Sequence, residues 1–206
     1  MKLIGITGFA GSGKDSVYSA IAARRPFVVR AAFADALKVE CAAAFGADPA
    51  LFTDPALKDV TTPTLAAVMC LDTRFARFLG PLMSTLPSLK PRTVMQQWGD
   101  YRRQNDPDYF TKLMTPTVEA ARAAGAAAVI VTDVRFLNEF LWLGASKGVL
   151  WRVVREGVKP RSGHASEWQL EGVRADLTIR NDFSLEELEA RALAAYDDLV
   201  ARGAAA

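Results

Sequence analysis

Gly8-Phe9-Ala10-Gly11-Ser12-Gly13-Lys14-Asp15-Ser16 follows an apolar, β-branched run at the start of the chain and precedes a helical pattern. A glycine, four residues, then Gly-Lys is the spacing of a phosphate-binding loop. Glycines let the backbone N–H groups point inward, and the helix that follows adds its N-terminal partial positive charge. Lys14 supplies a mobile cation for the β- and γ-phosphates of a nucleoside triphosphate. Gly8, Ala10, Gly11, Ser12, Gly13, Lys14, Asp15 and Ser16 are therefore the expected nucleotide-binding residues, with ATP as the nucleotide. The alternative is a glycine-rich strand-to-helix turn carrying a surface lysine. After the lysine, where a Ser or Thr hydroxyl usually meets Mg²⁺, stands Asp15. Its carboxylate is a hard oxygen ligand that can serve magnesium directly or through water. It is equally an acid suited to the first turn of a helix. Ser16 offers a hydroxyl one residue on, suited to the α-phosphate.

A second acid, Asp133, closes the run Val129-Ile130-Val131-Thr132-Asp133. At the carboxyl end of a strand it belongs at the ligand crevice, as a second magnesium-associated carboxylate or as a helix N-cap. Arg135 and Glu139 lie four apart, the spacing of a surface ion pair, or Arg135 binds a phosphate. A phosphate-ester acceptor needs bidentate clamping by guanidinium. Candidates are Lys38, Arg92, Arg102, Arg103 and Arg135, with a second basic group at Arg152, Arg155, Lys159 and Arg161. There a closing lid can stabilise charge on the transferring group. His164, the single histidine, is placed in the active site with no catalytic role, because phosphoryl transfer is mostly positioning and electrostatics. Ser166 is a candidate cap for a short helix.

The elements that must position these residues alternate. Lys2–Thr7, 27–31, 127–132, Val149–Val154 and 176–180 read as strands. Helical patterns cover 16–24, 35–44, 93–103, 108–124, 136–145 and 184–201. Near-continuous apolar character in the first and third strands predicts a parallel sheet buried on both faces. The order predicts a doubly wound α/β fold. Ser184 with Glu187 forms a capping-box pattern for the last helix, and the Ala-rich tail from Ala201 reads as a frayed helix end. The stretch 46–91 holds most of the prolines and only partial helical periodicity. It reads as an insertion covering the substrate side, or as a structural excursion.

Composition sets outer bounds. The chain has 206 residues, half of them hydrophobic, and a net charge of +2. That charge is too small for bulk electrostatic binding of nucleic acid, so basic clusters are read as local sites. Cys41 and Cys70 are widely spaced and read as reduced thiols. With no membrane-length apolar run and a strand from the first residues, a soluble cytoplasmic protein without signal peptide is expected.

Several blocks together resemble the deoxynucleoside monophosphate kinases of tailed bacteriophages. These are Gly13-Lys14-Asp15-Ser16, Phe33-Ala34-Asp35-Ala36-Leu37-Lys38, Met95-Gln96-Gln97-Trp98-Gly99, Thr132-Asp133-Val134-Arg135-Phe136 with Glu139, and His164-x-Ser166-Glu167. They occur in that family's order from Met1 to roughly Leu170. The resemblance implies transfer of the γ-phosphoryl of ATP to a deoxynucleoside 5′-monophosphate, with Mg²⁺ at Asp15 and Asp133. It implies a single phosphate-loop kinase domain over 1–206 with a five-stranded parallel sheet, an acceptor-side helical region at about 33–110 and a lid at about 155–172. Lys38, Gln96, Arg102 or Arg103, Arg135, Glu139, His164 and Glu167 fall on the acceptor side by this likeness. Lys14, Asp133, Arg135 and Arg161 are the catalytic set, and Asn181 falls near adenine. The family favours dTMP- and dGMP-like acceptors, and a homodimer is common among such kinases. Rival readings are a kinase with another acceptor (a base in DNA, dephospho-coenzyme A or phosphomevalonate) and an ATPase or switch that passes phosphate to water.

Overall fold

Alternating apolar runs and amphipathic segments arrange themselves as strands and helices in a computed structural model that describes residues 1–83, 87–160 and 163–204. The chain divides into two compact units, Met1–Phe33 with Thr111–Ala206, and Ala34–Phe110.

The first unit is built on β1 (Lys2–Thr7), α1 (Lys14–Arg24) and β2 (Val28–Ala31). From Phe33 the chain runs into α2 (Phe33–Phe45), and it returns through α6 (Tyr109–Ala123). Then come β3 (Ala128–Val131), α7 (Leu137–Ala145), β4 (Val149–Val154), α8 (Ala165–Trp168), β5 (Leu177–Arg180) and α9 (Leu185–Ala204). The intervening α3 (Ala50–Thr53), α4 (Thr73–Met83) and α5 (Pro91–Asn105) belong to the second unit. All five strands pair in parallel, in the order β2-β3-β1-β4-β5. This is the α/β sheet flanked by helices that the pattern predicts.

The side-chain period of two assigns the faces. Ile4 and Ile6 point to one side, where they meet Val17 and Ile21 of α1 and Leu188, Ala192 and Tyr196 of α9, all at most 4% exposed. Gly5 faces the other side, where a Cβ would lie 2.5 Å from Leu143 of α7 and 2.8 Å from Val134. Helices therefore cover both faces, and the central strands have no solvent side to carry polar residues. That is why β3 is uniformly apolar and fully buried.

Strand ends differ from expectation by a residue for local reasons. Phe27 takes φ 60, a left-handed turn rather than a strand start, and its carbonyl accepts from Ala127 N–H at 2.8 Å. Asp176 stands just before β5, its carboxylate accepting from Leu150 N–H at 2.7 Å. At α9, Ser184 Oγ accepts from Glu187 N–H at 3.2 Å, but the Glu187 carboxylate turns to Arg191 at 2.6 Å. Only half of the expected capping box forms. The last helix runs to Ala204, further than the frayed end expected from Ala201.

The second unit has its own core of Phe52, Leu65, Phe75, Leu79, Leu89, Val94 and Trp98, each at most 2% exposed. Phe75 meets Trp98 edge-on at 4.6 Å and also contacts Phe78 and Tyr101. Five of those core residues come from the proline-bearing stretch 46–91. The rest of this stretch is largely exposed, and it is held by long-range contacts such as Thr62 N–H to Leu89 O at 3.2 Å and the Arg92–Asp59 pair at 2.6 Å. Cys41 and Cys70 are free, as read from their spacing. No helix among the described residues is long and apolar enough to cross a membrane.

Candidate nucleotide site

Parallel strands bring their carboxyl ends, and the loops after them, to one edge. Val134 N–H bonds Ile6 O at 3.0 Å, which sets Asp133 beside the end of β1 where the glycine-rich loop begins. The loop is held open by backbone that only glycine adopts comfortably. Gly8, Gly11 and Gly13 have φ of 143, 85 and 105. A Cβ at Gly8 would lie 2.3 Å from Val153 O, and one at Gly13 would lie 2.5 Å from Asn181 Nδ2. Asn181 itself donates to Ser12 O at 2.8 Å. The residue after β5 thus straps the loop into shape.

Lys14 lies within this loop. Its Nζ donates to Gly8 O at 2.7 Å and Phe9 O at 2.8 Å, and the residue is only 8% exposed. Burial, reinforced by the Arg135 charge, lowers its pKa to about 8, against the opposing pull of Asp15, Asp133 and Glu167.

Asp133 corrects one reading. It does not cap the helix that follows it. Its Oδ1 accepts from Phe33 N–H at 2.8 Å, where α2 begins. Phe136 stands at the N-cap of α7 instead. The Arg135–Glu139 surface ion pair is likewise not formed as expected. Glu139 is 1% exposed, and Oε2 accepts from the backbone N–H of Arg135 at 2.7 Å and of Phe136 at 3.0 Å. It fixes the turn that carries Arg135, which is a positioning task. The Arg135 guanidinium reaches Glu167 Oε1 at 3.1 Å instead. At α8 the cap is His164, whose Nδ1 accepts from Ser166 N–H at 3.2 Å, in place of Ser166. Arg161 lies outside the described residues.

Two cavities flank the loop. One, of about 360 Å³, is lined by Gly11, Gly13, Lys14, Asp15, Ser16 and Asn181, with Phe183 and Leu188 as apolar walls. It lies between the phosphate loop and the residues that follow β5. The other, of about 190 Å³, is lined by Gly8, Phe9, Ser12, Arg135 and Glu167 among others. Arg155 borders both. Arg152, a lid candidate, is instead spent on the carbonyls of Leu170, Glu171 and Val173. Among the described residues no three His, Cys, Asp or Glu side chains converge as a metal cage. The donors near Lys14 are the exposed Asp15 carboxylate, the Ser16 hydroxyl and Asp133. One or two carboxylates that leave places for phosphate oxygens and water fit a magnesium ion.

In the second unit, Lys38 pairs with Asp35 at 3.0 Å, and Gln96 lies half-buried on α5. The two adjacent arginines differ. Arg103 lies over the Phe110 ring at 4.8 Å. Arg102 lies over Trp98 at 4.6 Å and Tyr109 at 4.9 Å, with Nε donating to Glu40 Oε2 at 3.1 Å. Glu40 also accepts from Trp98 Nε1 at 2.6 Å and Tyr109 OH at 2.5 Å. Sequence reasoning missed Glu40. Its one visible signal is a lone carboxylate inside the apolar run from Val39 to Ala44.

Compared with the described protein families, the chain matches none. It is 26% identical over 202 residues to a protein of Acanthamoeba polyphaga mimivirus named "Putative deoxynucleotide monophosphate kinase", covering 96% of this chain and 97% of that one.

Proposed function

We propose that this chain transfers the γ-phosphoryl group of ATP to a deoxynucleoside 5′-monophosphate, giving the diphosphate. The observation that carries the reading is the Lys14 ammonium, buried among the carbonyls of a glycine-built loop at the end of β1. Likeness to the mimivirus protein supports nucleotide kinase activity at a coarse level and, by its name, the acceptor class.

In this reading the loop N–H groups and Lys14 hold the β- and γ-phosphates, and the cavity bounded by Asn181 and Phe183 takes the nucleoside. Asp15 and Asp133 would hold Mg²⁺, which when bound neutralises charge on the phosphate oxygens. Arg135, fixed by Glu167 and by the Glu139-anchored turn, stabilises charge on the group in transfer. By the family likeness, Arg161, outside the described residues, would join it from a lid over about 155–172. Residues of about 33–110 receive the acceptor. Arg102 or Arg103 there meets its phosphate through bidentate hydrogen bonds.

Titration of the full chain with Mg-ATP tests the loop. Lys14→Ala is expected to weaken binding and to cut turnover by about a hundredfold or more. Unchanged turnover in that variant would remove the phosphate-loop assignment. Arg135→Ala is expected to raise the acceptor requirement more than the ATP requirement, and the reverse result would move Arg135 to the ATP side.

A further inference from the structure

Two buried polar atoms beside the phosphate loop have no hydrogen-bond partner. Glu167 projects from α8 with its side chain 7% exposed. Arg135 holds Oε1, whereas Oε2 is shut from water and unpartnered. Ser12 is 1% exposed, and its Oγ is unpartnered as well. Buried acceptors are almost always satisfied, and a charged one is the costliest to leave unmade. Both residues line the same cavity of about 190 Å³.

The other walls say what fits. Phe9, Val153, Val154, Val158 and Leu170 are apolar, while Arg135, Arg152 and Arg155 bring three positive charges against the one further acid, Glu171. The volume is below that of a pocket for a whole ligand, so it takes one part of a larger, anionic molecule. That part must donate a hydrogen bond to Glu167 Oε2, because a carboxylate only accepts. Ser12 Oγ can both donate and accept, so it suits a neighbouring carbonyl or hydroxyl.

We propose that Glu167 Oε2 and Ser12 Oγ form a subsite for a hydrogen-bond donor of the acceptor nucleotide, either a ring N–H of the base or the 3′-hydroxyl of the sugar. This rests on the kinase reading above and adds a specificity-determining contact to it. A site with a buried acceptor rejects ligands that cannot supply its donor far more strongly than an apolar pocket rejects a change of size.

The test is calorimetric binding to the full chain in the presence of ADP. First come the four deoxynucleoside monophosphates, then two analogues of the tightest binder. One analogue lacks the 3′-hydroxyl, and the other is methylated at the base nitrogens that donate. One of the two is expected to bind about a hundredfold more weakly or worse, and which one identifies the donor. In Glu167→Ala, and in Glu167→Gln should the alanine variant fail to fold, that discrimination is expected to shrink toward unity. Comparing the discrimination, rather than the affinity, separates this contact from the hold of Glu167 on Arg135. If both analogues bind wild type as well as the parent, the subsite is overturned and the kinase reading stands. If none of the four monophosphates binds while ADP does, the acceptor class falls and the subsite with it.

Discussion

Lys14 Nζ donates to two loop carbonyls, and burial with the Arg135 charge beside it lowers its pKa to about 8. The folded chain therefore favours the neutral amine relative to the unfolded chain, whose lysine keeps the ordinary value of 10.5. This contribution disfavours folding below about pH 8, and the penalty fades as pH rises toward the unfolded value. Phosphate reverses the preference, since it stabilises the ammonium and raises the pKa. ATP affinity is thus expected to be full below about pH 8 and to decline as pH rises through it, with proton uptake on binding. Titrations at pH 7 and pH 9 check this, with Lys14→Arg as the control that does not titrate. A flat wild-type profile would show that the ammonium does not meet the phosphates. At this scale the sequence revealed residue types well and partners poorly. Lys14 was read from the loop spacing, and Asp133 from its place at the end of an apolar run. That Glu139 would cap its own turn, and that Arg135 would choose Glu167 thirty-two residues away, depends on tertiary contacts that no local pattern encodes.

Elements position these groups through a few tight joints. Gly13 has φ 105, and a Cβ there would come within 2.5 Å of Asn181 Nδ2, the group that straps Ser12 O. Gly13→Ala is expected to destabilise by about 1–3 kcal/mol through backbone strain and to weaken ATP binding by displacing Asn181. Chemical denaturation and ATP titration measure the two effects, and a variant with wild-type stability and affinity would contradict the strap. In the second unit, Glu40 accepts from Trp98, Arg102 and Tyr109 at once. Burial, helped by the Glu40 carboxylate, pushes the Tyr109 hydroxyl up to about 12. Glu40→Ala leaves three donors without an acceptor and is expected to cost about 2–4 kcal/mol, whereas Glu40→Gln, keeping an oxygen, is expected to cost about 1. Equal losses in the two variants, read by denaturant midpoints, would show that packing rather than hydrogen bonding sets the effect. The strand and helix runs were legible because their apolar periods are local. Stretch 46–91 was not, because short turns and 3₁₀ segments such as Pro63–Leu65 leave no period to read. Its burial of Phe52, Leu65 and Phe75 is decided by long-range packing.

Across the whole molecule, one parallel sheet in the order β2-β3-β1-β4-β5 gathers the loop after β1, Asp133 after β3, Arg155 after β4 and Asn181 after β5 at the carboxyl ends of the strands. A kinase of this kind is expected to turn over little ATP on its own, because acceptor binding completes the catalytic arrangement and excludes water. The measurement that tests this account most directly is ADP release from Mg-ATP, first without acceptor and then with each deoxynucleoside 5′-monophosphate in turn. The account predicts slow release alone and strong stimulation by one or two of the monophosphates, with the matching diphosphate as product. Release that is equally fast with and without every monophosphate would contradict it and identify the loop as that of an ATPase.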